Sequence, residues 1–218
     1  MTRDILEELS NGEAVFTSGT DRIRIVRDFE PIHPWAYQNM ICHLVSWDDD
    51  VCFGTDKDIT DRPDDIKAIQ TSEDLGNWMN VQTEPYYVLG LLGDKYGFLT
   101  TREGYPMHGA LVITKTILLK YFPNTPDDHV MTKMMMLAKD EAKILIAWYG
   151  GGLFGFMHEQ DIPTVDRKPF DNPVKAKDSA WGFYLLDTDY STMLQAMCEH
   201  FDTDNEALMA IKEEILGA

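Results

Sequence analysis

The chain has 218 residues, of which 44% are hydrophobic and 26% are charged, a composition that supports a packed core and excludes a wholly disordered protein. Its 37 acidic and 19 basic residues give a net charge of −18, which disfavours nucleic acid and anionic lipid as direct ligands. No apolar run approaches the roughly 20 residues that span a bilayer, and three cysteines without paired spacing predict a reduced, cytoplasmic protein.

The first half of the chain predicts a helix over residues 3–10 and then three hairpins. Their strands are predicted over residues 15–17 with 23–26, 40–47 with 51–53, and 86–92 with 98–101. The run Asp48-Asp49-Asp50 favours a turn, because carboxylates bond to their own backbone there. Arg62-Pro63-Asp64-Asp65 predicts a helical turn, and Thr71 predicts the N-cap of a helix that follows.

The second half predicts a buried strand, a long helix, two more strands and two closing helices. The predicted elements are a strand over 110–113, a helix over 115–122 with Thr114 as its N-cap, a helix ending near Tyr149, strands over 153–158 and 179–186, and helices over 188–200 and 204–216. Thr125-Pro126-Asp127-Asp128 is typical of a helix start, and Gly150-Gly151-Gly152 is typical of a helix end. Thr203 or Asp202 is predicted to cap the last helix.

These elements predict an α+β fold in which a mostly antiparallel sheet of hairpins packs against several helices. The chain has no linker-like stretch near its middle, which predicts one domain over residues 1–218, with the C-terminal helices at about 188–216 packing on it.

Several short segments carry a family resemblance through their order and spacing. They are Phe29-Glu30-Pro31, Phe53-Gly54-Thr55-Asp56-Lys57, Gly93-Asp94-Lys95-Tyr96-Gly97, Leu153-Phe154-Gly155-Phe156 and Ser179-Ala180-Trp181-Gly182-Phe183-Tyr184. Over roughly residues 29–187 the chain resembles a widespread family of small bacteriophage-encoded proteins, which implies a phage origin. Family members usually carry a histidine where this chain has Lys95, and often a basic, histidine-containing turn where it has Asp48-Asp49-Asp50.

Acidic residues concentrate in two segments, residues 46–74 and 178–218. Arrays of carboxylates can imitate the phosphates of nucleic acid for a basic protein. Together with the resemblance, this predicts a non-catalytic accessory protein that binds a basic host protein and inhibits a host defence or nucleic-acid-binding system. The residues predicted to bind the partner are Asp48, Asp49, Asp50, Asp56, Asp58, Asp61, Asp64 and Asp65.

Two alternatives remain open at this point. One is an enzyme of unassigned class with a small pocket near Asp94, Tyr96, His108 and Trp181. The other is a homo-oligomeric structural protein that associates through a methionine-rich helix at Met134-Met135-Met136, although packing of these side chains in the core is the simpler interpretation.

The sequence predicts neither a metal nor a cofactor. Cys42 and Cys52 fall short of the four ligands of a structural zinc site, and Cys42 is predicted to lie in the core. A calcium-loop register starting at Asp202 has Ala207 where glycine is needed. The triple glycine follows a helix, whereas a phosphate loop opens one. Strand alternation predicts that Trp181 and Phe183 share a face.

Overall fold

The computed structural model contains two compact units. It describes residues 5–37, 40–48, 53, 63–94, 96–102, 108–162, 174–186, 189–202 and 204–217. Unit 1 comprises Met1–Pro31 and Gly151–Ala218, and unit 2 comprises Ile32–Gly150. Each unit has a four-stranded antiparallel sheet, which confirms the α+β class with antiparallel strands. The sequence does not indicate this division, and a single domain over residues 1–218 stays a prediction.

Unit 1 packs three helices against one face of its sheet. The strands are β1 (Glu13–Ser18), β2 (Asp21–Arg27), β7 (Leu153–Asp161) and β8 (Val174–Tyr184), and the helices are α1 (Ile5–Ser10), α7 (Tyr190–Cys198) and α8 (Glu206–Leu216). The strand order is β1-β2-β7-β8. Phe16, Ile23 and Ile25 alternate along β1 and β2 and form a buried core with apolar side chains from all three helices. This face of the sheet is called the helix-covered face below.

A bulge at Gly182 reverses the alternation of side chains in β8. Phe154 pairs with Phe183 and Gly155 pairs with Trp181, so Gly182 is the extra residue between the two pairs. Its φ of 90° lies in the region that favours glycine. Phe183 therefore packs with the core on the helix-covered face while Trp181 lies over Gly155 on the other face. The prediction that the two aromatic residues share a face is wrong.

Unit 2 covers both faces of its sheet. The strands are β3 (His43–Ser46), β4 (Tyr86–Gly93), β5 (Leu99–Arg102) and β6 (Gly109–Thr114), and the helices are α2 (Pro34–Tyr37), α3 (Asp64–Lys67), α4 (Ser72–Val81), α5 (Lys115–Tyr121) and α6 (Val130–Tyr149). The strand order is β3-β6-β4-β5. Met134, Ala138 and Leu145 of α6 pack on one face, while Ile66 of α3 and Trp78 of α4 pack on the other. All six residues of β6 are buried as a result.

Most helix ends agree with the capping signals in the sequence. The Thr71 side chain accepts the amide hydrogen of Asp74 at the start of α4, and Thr114 does the same for Ile117 at the start of α5. Gly150 ends α6 as predicted. Burial of Met134 and Cys42 confirms that both side chains belong to the core.

The starts of α6 and α8 differ from the prediction. A 3-10 turn, Asp127–His129, precedes α6, and the Thr125 hydroxyl donates to the Phe122 carbonyl instead of capping the helix. The N-cap of α8 is Asn205, whose side chain accepts the amide hydrogens of Ala207 and Leu208, so the predicted caps Asp202 and Thr203 are wrong.

The predicted hairpin over residues 40–47 and 51–53 is only partly described. β3 confirms a strand in the first segment and pairs with β6, whereas the second segment lies outside the described residues apart from Phe53. In the described part of the chain, no helix combines the length and the apolar character that crossing a membrane requires.

Candidate functional site

Three of the eight aspartates predicted to bind a partner lie in the described residues, and each has a local contact. Asp48 Oδ2 lies 3.5 Å from His108 Nε2, and Asp64 Oδ1 lies 3.3 Å from Lys67 Nζ. Asp65 accepts a 2.8 Å hydrogen bond from the Trp78 indole. The other five lie outside the described residues: Asp49, Asp50, Asp56, Asp58 and Asp61. The docking role of this set stays a prediction.

The second acidic segment forms the solvent side of α7, α8 and the loop between them. Met197 and Ile211 point into the core, so the opposite sides of their helices face solvent. The acidic residues there are all exposed: Asp189, Glu199, Asp202, Asp204, Glu206, Glu213 and Glu214. Lys212 is the one lysine in the described part of residues 189–217. We call these seven acidic residues the α7–α8 acidic surface.

The four residues predicted for an enzyme site are divided between the units. Trp181 belongs to unit 1, and the other three belong to unit 2. The Asp94 carboxylate accepts the amide hydrogens of Tyr96 and Phe98 at 2.8 and 3.1 Å, so it shapes the hairpin loop. The Tyr96 side chain is 84% exposed.

Both ring nitrogens of His108 have a contact partner. Nδ1 accepts the Gly93 amide hydrogen at 3.1 Å, which places the ring proton of the neutral form on Nε2. Nε2 lies 3.5 Å from the Asp48 carboxylate. This pair connects the segment after β3 to the strand that follows His108.

On the face of the unit 1 sheet opposite the helices, the strand register orders the side chains in rows. One row runs Glu13, Val26, Gly155 and Trp181 across the four strands. The next row runs Val15, Arg24, Met157 and Ser179. Among the described residues of unit 1, the helices α1, α7 and α8 pack on the other face, so we call this one the open face.

Trp181 lies flat across Gly155 in the first of these rows. A Cβ placed on Gly155 would collide with the Trp181 indole, and it would come within 2.9 Å of the Ala180 carbonyl oxygen. The absence of a side chain at Gly155 therefore provides the space in which the indole lies. One side of the indole packs on the strand, and 45% of the Trp181 surface remains exposed.

A groove of about 490 Å³ lies on the open face beside Trp181. Its lining residues are Asn11, Gly12, Glu13, Arg24, Val26, Arg27, Asp28, Phe29, Glu30, Met157 and Trp181. Phe29 lies against Gly12, where a Cβ would be 3.9 Å from its Cζ, and it is 81% exposed. The groove thus combines two exposed aromatic side chains with apolar and acidic ones.

Arg22 and Arg24 on the open face both form ion pairs with carboxylates. Arg24 Nε donates to Glu13 at 2.8 Å, and Arg24 Nη1 lies 3.4 Å from Glu159. The hydrogen bond to Glu13 is the largest cause of a raised pKa at Arg24. Arg22 lies 3.2 Å from both Glu159 and Asp161. These charges are already balanced before any ligand arrives.

Arg27 follows Val26 in β2 and therefore points to the helix-covered face. Its guanidinium carbon lies 5.6 Å from the centre of the Phe154 ring, which belongs to the core. Asp28 and Glu30 form no ion pair with any described residue. The net charge that the groove presents to a ligand is therefore negative.

The carboxylate of Asp21 and the imidazole of His158 form a buried pair at the other end of the unit 1 sheet. His158 Nε2 lies 2.7 Å from Asp21 Oδ1, and both side chains are about nine-tenths buried. Burial raises the pKa of Asp21, but hydrogen bonds from His158 and Thr20 and the charge of His158 outweigh it, so the pKa is lowered overall. The pair joins β2 to β7.

We expect Asp21→Asn to lower the free energy of unfolding at pH 7 by about 1 to 2 kcal/mol, because it weakens a buried charge-assisted hydrogen bond. A carboxyl whose pKa is lowered by folding stabilises the fold above its unfolded pKa and loses that effect as the pH falls through the folded value. The deficit of the variant should therefore shrink on acidification. Urea unfolding between pH 7 and pH 3 measures it.

The matched control for this prediction is Asp161→Asn, which removes an exposed carboxylate paired with Arg22. We expect it to cost less than about 0.5 kcal/mol. A deficit for Asp21→Asn that is constant between pH 7 and pH 3 would contradict the proposed role of the pair.

Burial limits the reactivity of the two described cysteine thiols, Cys42 and Cys198. Burial, followed by the charge of Glu141, raises the pKa of the Cys42 thiol well above its usual range, and burial raises the pKa of Cys198 to about 11. Both thiols therefore stay protonated at neutral pH. Within the described ranges, no three histidine, cysteine or acidic side chains come together as metal ligands.

Sequence reasoning identified Trp181 but not the groove beside it, since no binding role was predicted for Phe29 or Met157. A signal was present in Phe154-Gly155-Phe156, where one glycine interrupts an apolar strand. A glycine in a strand interior often marks a close approach by another group. Here that group is the Trp181 indole.

Comparison of the chain with protein-family models, with curated proteins and with solved structures gives no match. The candidate site therefore stands on the geometry of unit 1 alone.

Proposed function

We propose that the protein is a phage-encoded accessory protein that acts in the host cytoplasm by binding a basic host protein, without catalysis. The observation that supports this proposal best is the α7–α8 acidic surface, where seven exposed acidic residues accompany one lysine. A surface of this kind attracts positively charged proteins and speeds their association. The acidic segment at residues 46–74 carries a further ten acidic residues and three basic ones.

The proposed consequence of binding is inhibition of a host defence or another nucleic-acid-binding system. A protein that binds nucleic acid presents lysine and arginine side chains spaced for phosphates, and carboxylates held on helices can occupy those positions. Such binding weakens as salt rises, and duplex DNA competes for the same partner surface.

We expect neutralisation of the α7–α8 acidic surface to weaken capture of basic proteins. The test variant carries Asp204→Asn, Glu213→Gln and Glu214→Gln, three exposed residues of this surface. Immobilised wild-type protein should capture nucleic-acid-binding proteins from bacterial lysate, and added duplex DNA should displace them. The variant should capture roughly tenfold less, equivalent to about 1.4 kcal/mol. Quantitative mass spectrometry measures the recovery.

The matched control removes the same amount of charge outside both acidic segments, through Asp127→Asn, Asp128→Asn and Asp140→Asn, which are also exposed. A further variant changes the eight aspartates between positions 48 and 65 to asparagine and tests the first acidic segment. The proposal would be contradicted if capture were unchanged both in the α7–α8 variant and in the variant of the eight aspartates. It would also be contradicted if duplex DNA failed to displace the captured proteins.

A further inference from the structure

The groove on the open face of unit 1 contains two aromatic side chains that packing does not explain. Phe29 contributes little to the fold, because four-fifths of its surface is exposed. Trp181 is held in place by Gly155 but leaves almost half of its surface in solvent. Exposed aromatic residues next to a groove are typical of a binding surface.

The apolar floor of the groove is short and is bordered by charge. Val26 lies in the row that ends in Trp181, and Met157 lies on the adjacent strand in the row that contains Arg24. Arg24 is already engaged by Glu13 and Glu159. An anionic ligand would therefore have to displace one of these carboxylates, which makes the groove a poor site for phosphate or nucleic acid.

The carboxylates of Asp28 and Glu30 favour a cation in the same place. Both line the groove next to Phe29, and neither forms an ion pair among the described residues. Their attraction adds to the field of a protein with a net charge of −18. A cation held near an aromatic face gains a further contribution from the ring quadrupole.

We infer that this groove binds an arginine-bearing segment of the partner, with guanidinium groups stacked on Trp181 or Phe29 and hydrogen-bonded to Asp28 or Glu30. Arginine fits better than lysine, since a planar guanidinium stacks on an aromatic ring and donates to a carboxylate at its edge at the same time. This inference rests on the proposed function, because it names the feature of a basic partner that the protein recognises.

The experiment uses the full chain and a fluorescein-labelled, capped octapeptide of alternating arginine and glycine. Peptides with lysine or glutamate in place of arginine serve as comparisons. We expect Trp181→Ala and Phe29→Ala each to raise the Kd for the arginine peptide about fivefold to tenfold, as loss of one cation–π contact predicts. Fluorescence anisotropy at 50 and 150 mM salt measures binding.

The control is Tyr96→Ala, which removes an equally exposed aromatic side chain from unit 2 and should change the Kd less than twofold. If Trp181→Ala folds poorly, Phe29→Ala still tests the groove, because Phe29 is the more exposed of the two residues and its loss should disturb the fold less. The indole N–H signal of Trp181, assigned by its loss in Trp181→Phe, should shift when the arginine peptide is added.

The outcomes separate this inference from the proposed function. If the arginine peptide binds the wild type but Trp181→Ala and Phe29→Ala bind it within twofold as tightly, the groove is overturned and the acidic surface stands. If the glutamate peptide binds as tightly as the arginine peptide, the groove is likewise overturned. If no basic peptide binds the wild type, the groove is overturned, while the proposed function is judged separately by the capture of nucleic-acid-binding proteins from lysate.

Discussion

Gly109→Ala is expected to lower the free energy of unfolding by about 2 to 3 kcal/mol, because the new methyl group has no space. A Cβ at Gly109 would lie 2.5 Å from the Val45 carbonyl oxygen and 3.0 Å from Cε2 of Phe53. The carbonyl belongs to β3, which pairs with β6 on one side of Gly109, while β4 pairs with it on the other. Strand β6 therefore cannot shift without disturbing a ladder.

Gly76→Ala is the matched control, since it makes the same chemical change where there is room. Gly76 lies in α4, and apart from its chain neighbours and the backbone of α4 itself, a Cβ there would meet no described atom within 4 Å. We expect this variant to be more stable than the wild type by about 0.5 to 1 kcal/mol, because alanine favours a helix over glycine. Guanidinium unfolding of both variants should give opposite signs, and equal effects would contradict the packing described around Gly109.

Glu141→Ala is expected to cost about 3 kcal/mol, because it leaves two backbone amides without an acceptor. Glu141 is 7% exposed in the middle of α6, and its carboxylate oxygens accept the amide hydrogens of Ile41 and Cys42 at 2.7 and 2.9 Å. These residues lie just before β3, so one side chain attaches the start of that strand to the long helix. Glu141→Gln keeps one acceptor and should cost about half as much.

The pH dependence of Glu141 should run opposite to that of Asp21. Burial raises the pKa of Glu141, and the two amide hydrogen bonds only partly offset this. The folded chain then holds a proton more tightly than the unfolded chain, so stability falls as the pH rises from the usual glutamate pKa through the raised one. Relative to Glu141→Gln, the wild type should therefore lose stability across that window.

The adjacent acid provides the control for the stability loss expected of Glu141→Ala. Asp140 is exposed, and its charge contributes to the raised pKa of Glu141. Asp140→Ala should leave the stability within about 0.5 kcal/mol of the wild type. A loss for Glu141→Ala no greater than that for Asp140→Ala would show that the two amides have other partners.

Local signals in the sequence predicted the secondary structure of the described residues well. Thr71 and Thr114 could be identified as caps because a hydroxyl three residues before a free amide satisfies it within one turn. Period-two alternation at Ile23 and Ile25 likewise placed a strand with one buried face. Each of these features depends on neighbours a few positions away in the chain.

Features that depend on long-range pairing escaped the sequence analysis. The bulge at Gly182 is defined by which residues of β7 lie opposite it, and one added residue moves Trp181 to the open face. The same holds for the groove, whose lining combines residues 11–30 with Met157 and Trp181. The division of the strands into two sheets is also set by pairing partners rather than by local pattern.

The predicted enzyme site shows a different limit. Asp94, Tyr96 and His108 were selected for their chemistry at hairpin ends, but side chains of these types also build turns. The carboxylate of Asp94 and the ring of His108 are both occupied by backbone amides, which is a use that composition alone does not reveal.

The chain path between β2 and β7 carries a consequence for how such a protein can arise. These strands are antiparallel neighbours, and the Asp28 amide donates to the Leu153 carbonyl at 2.8 Å. Residues 32–150 thus stand in the chain where a hairpin turn would connect β2 to β7. The end of β2 and the start of β7 are hydrogen-bonded neighbours. Because closing a long loop costs little more entropy than closing a short one, an ancestral hairpin could accept this insertion, and a short splice could restore the plain hairpin.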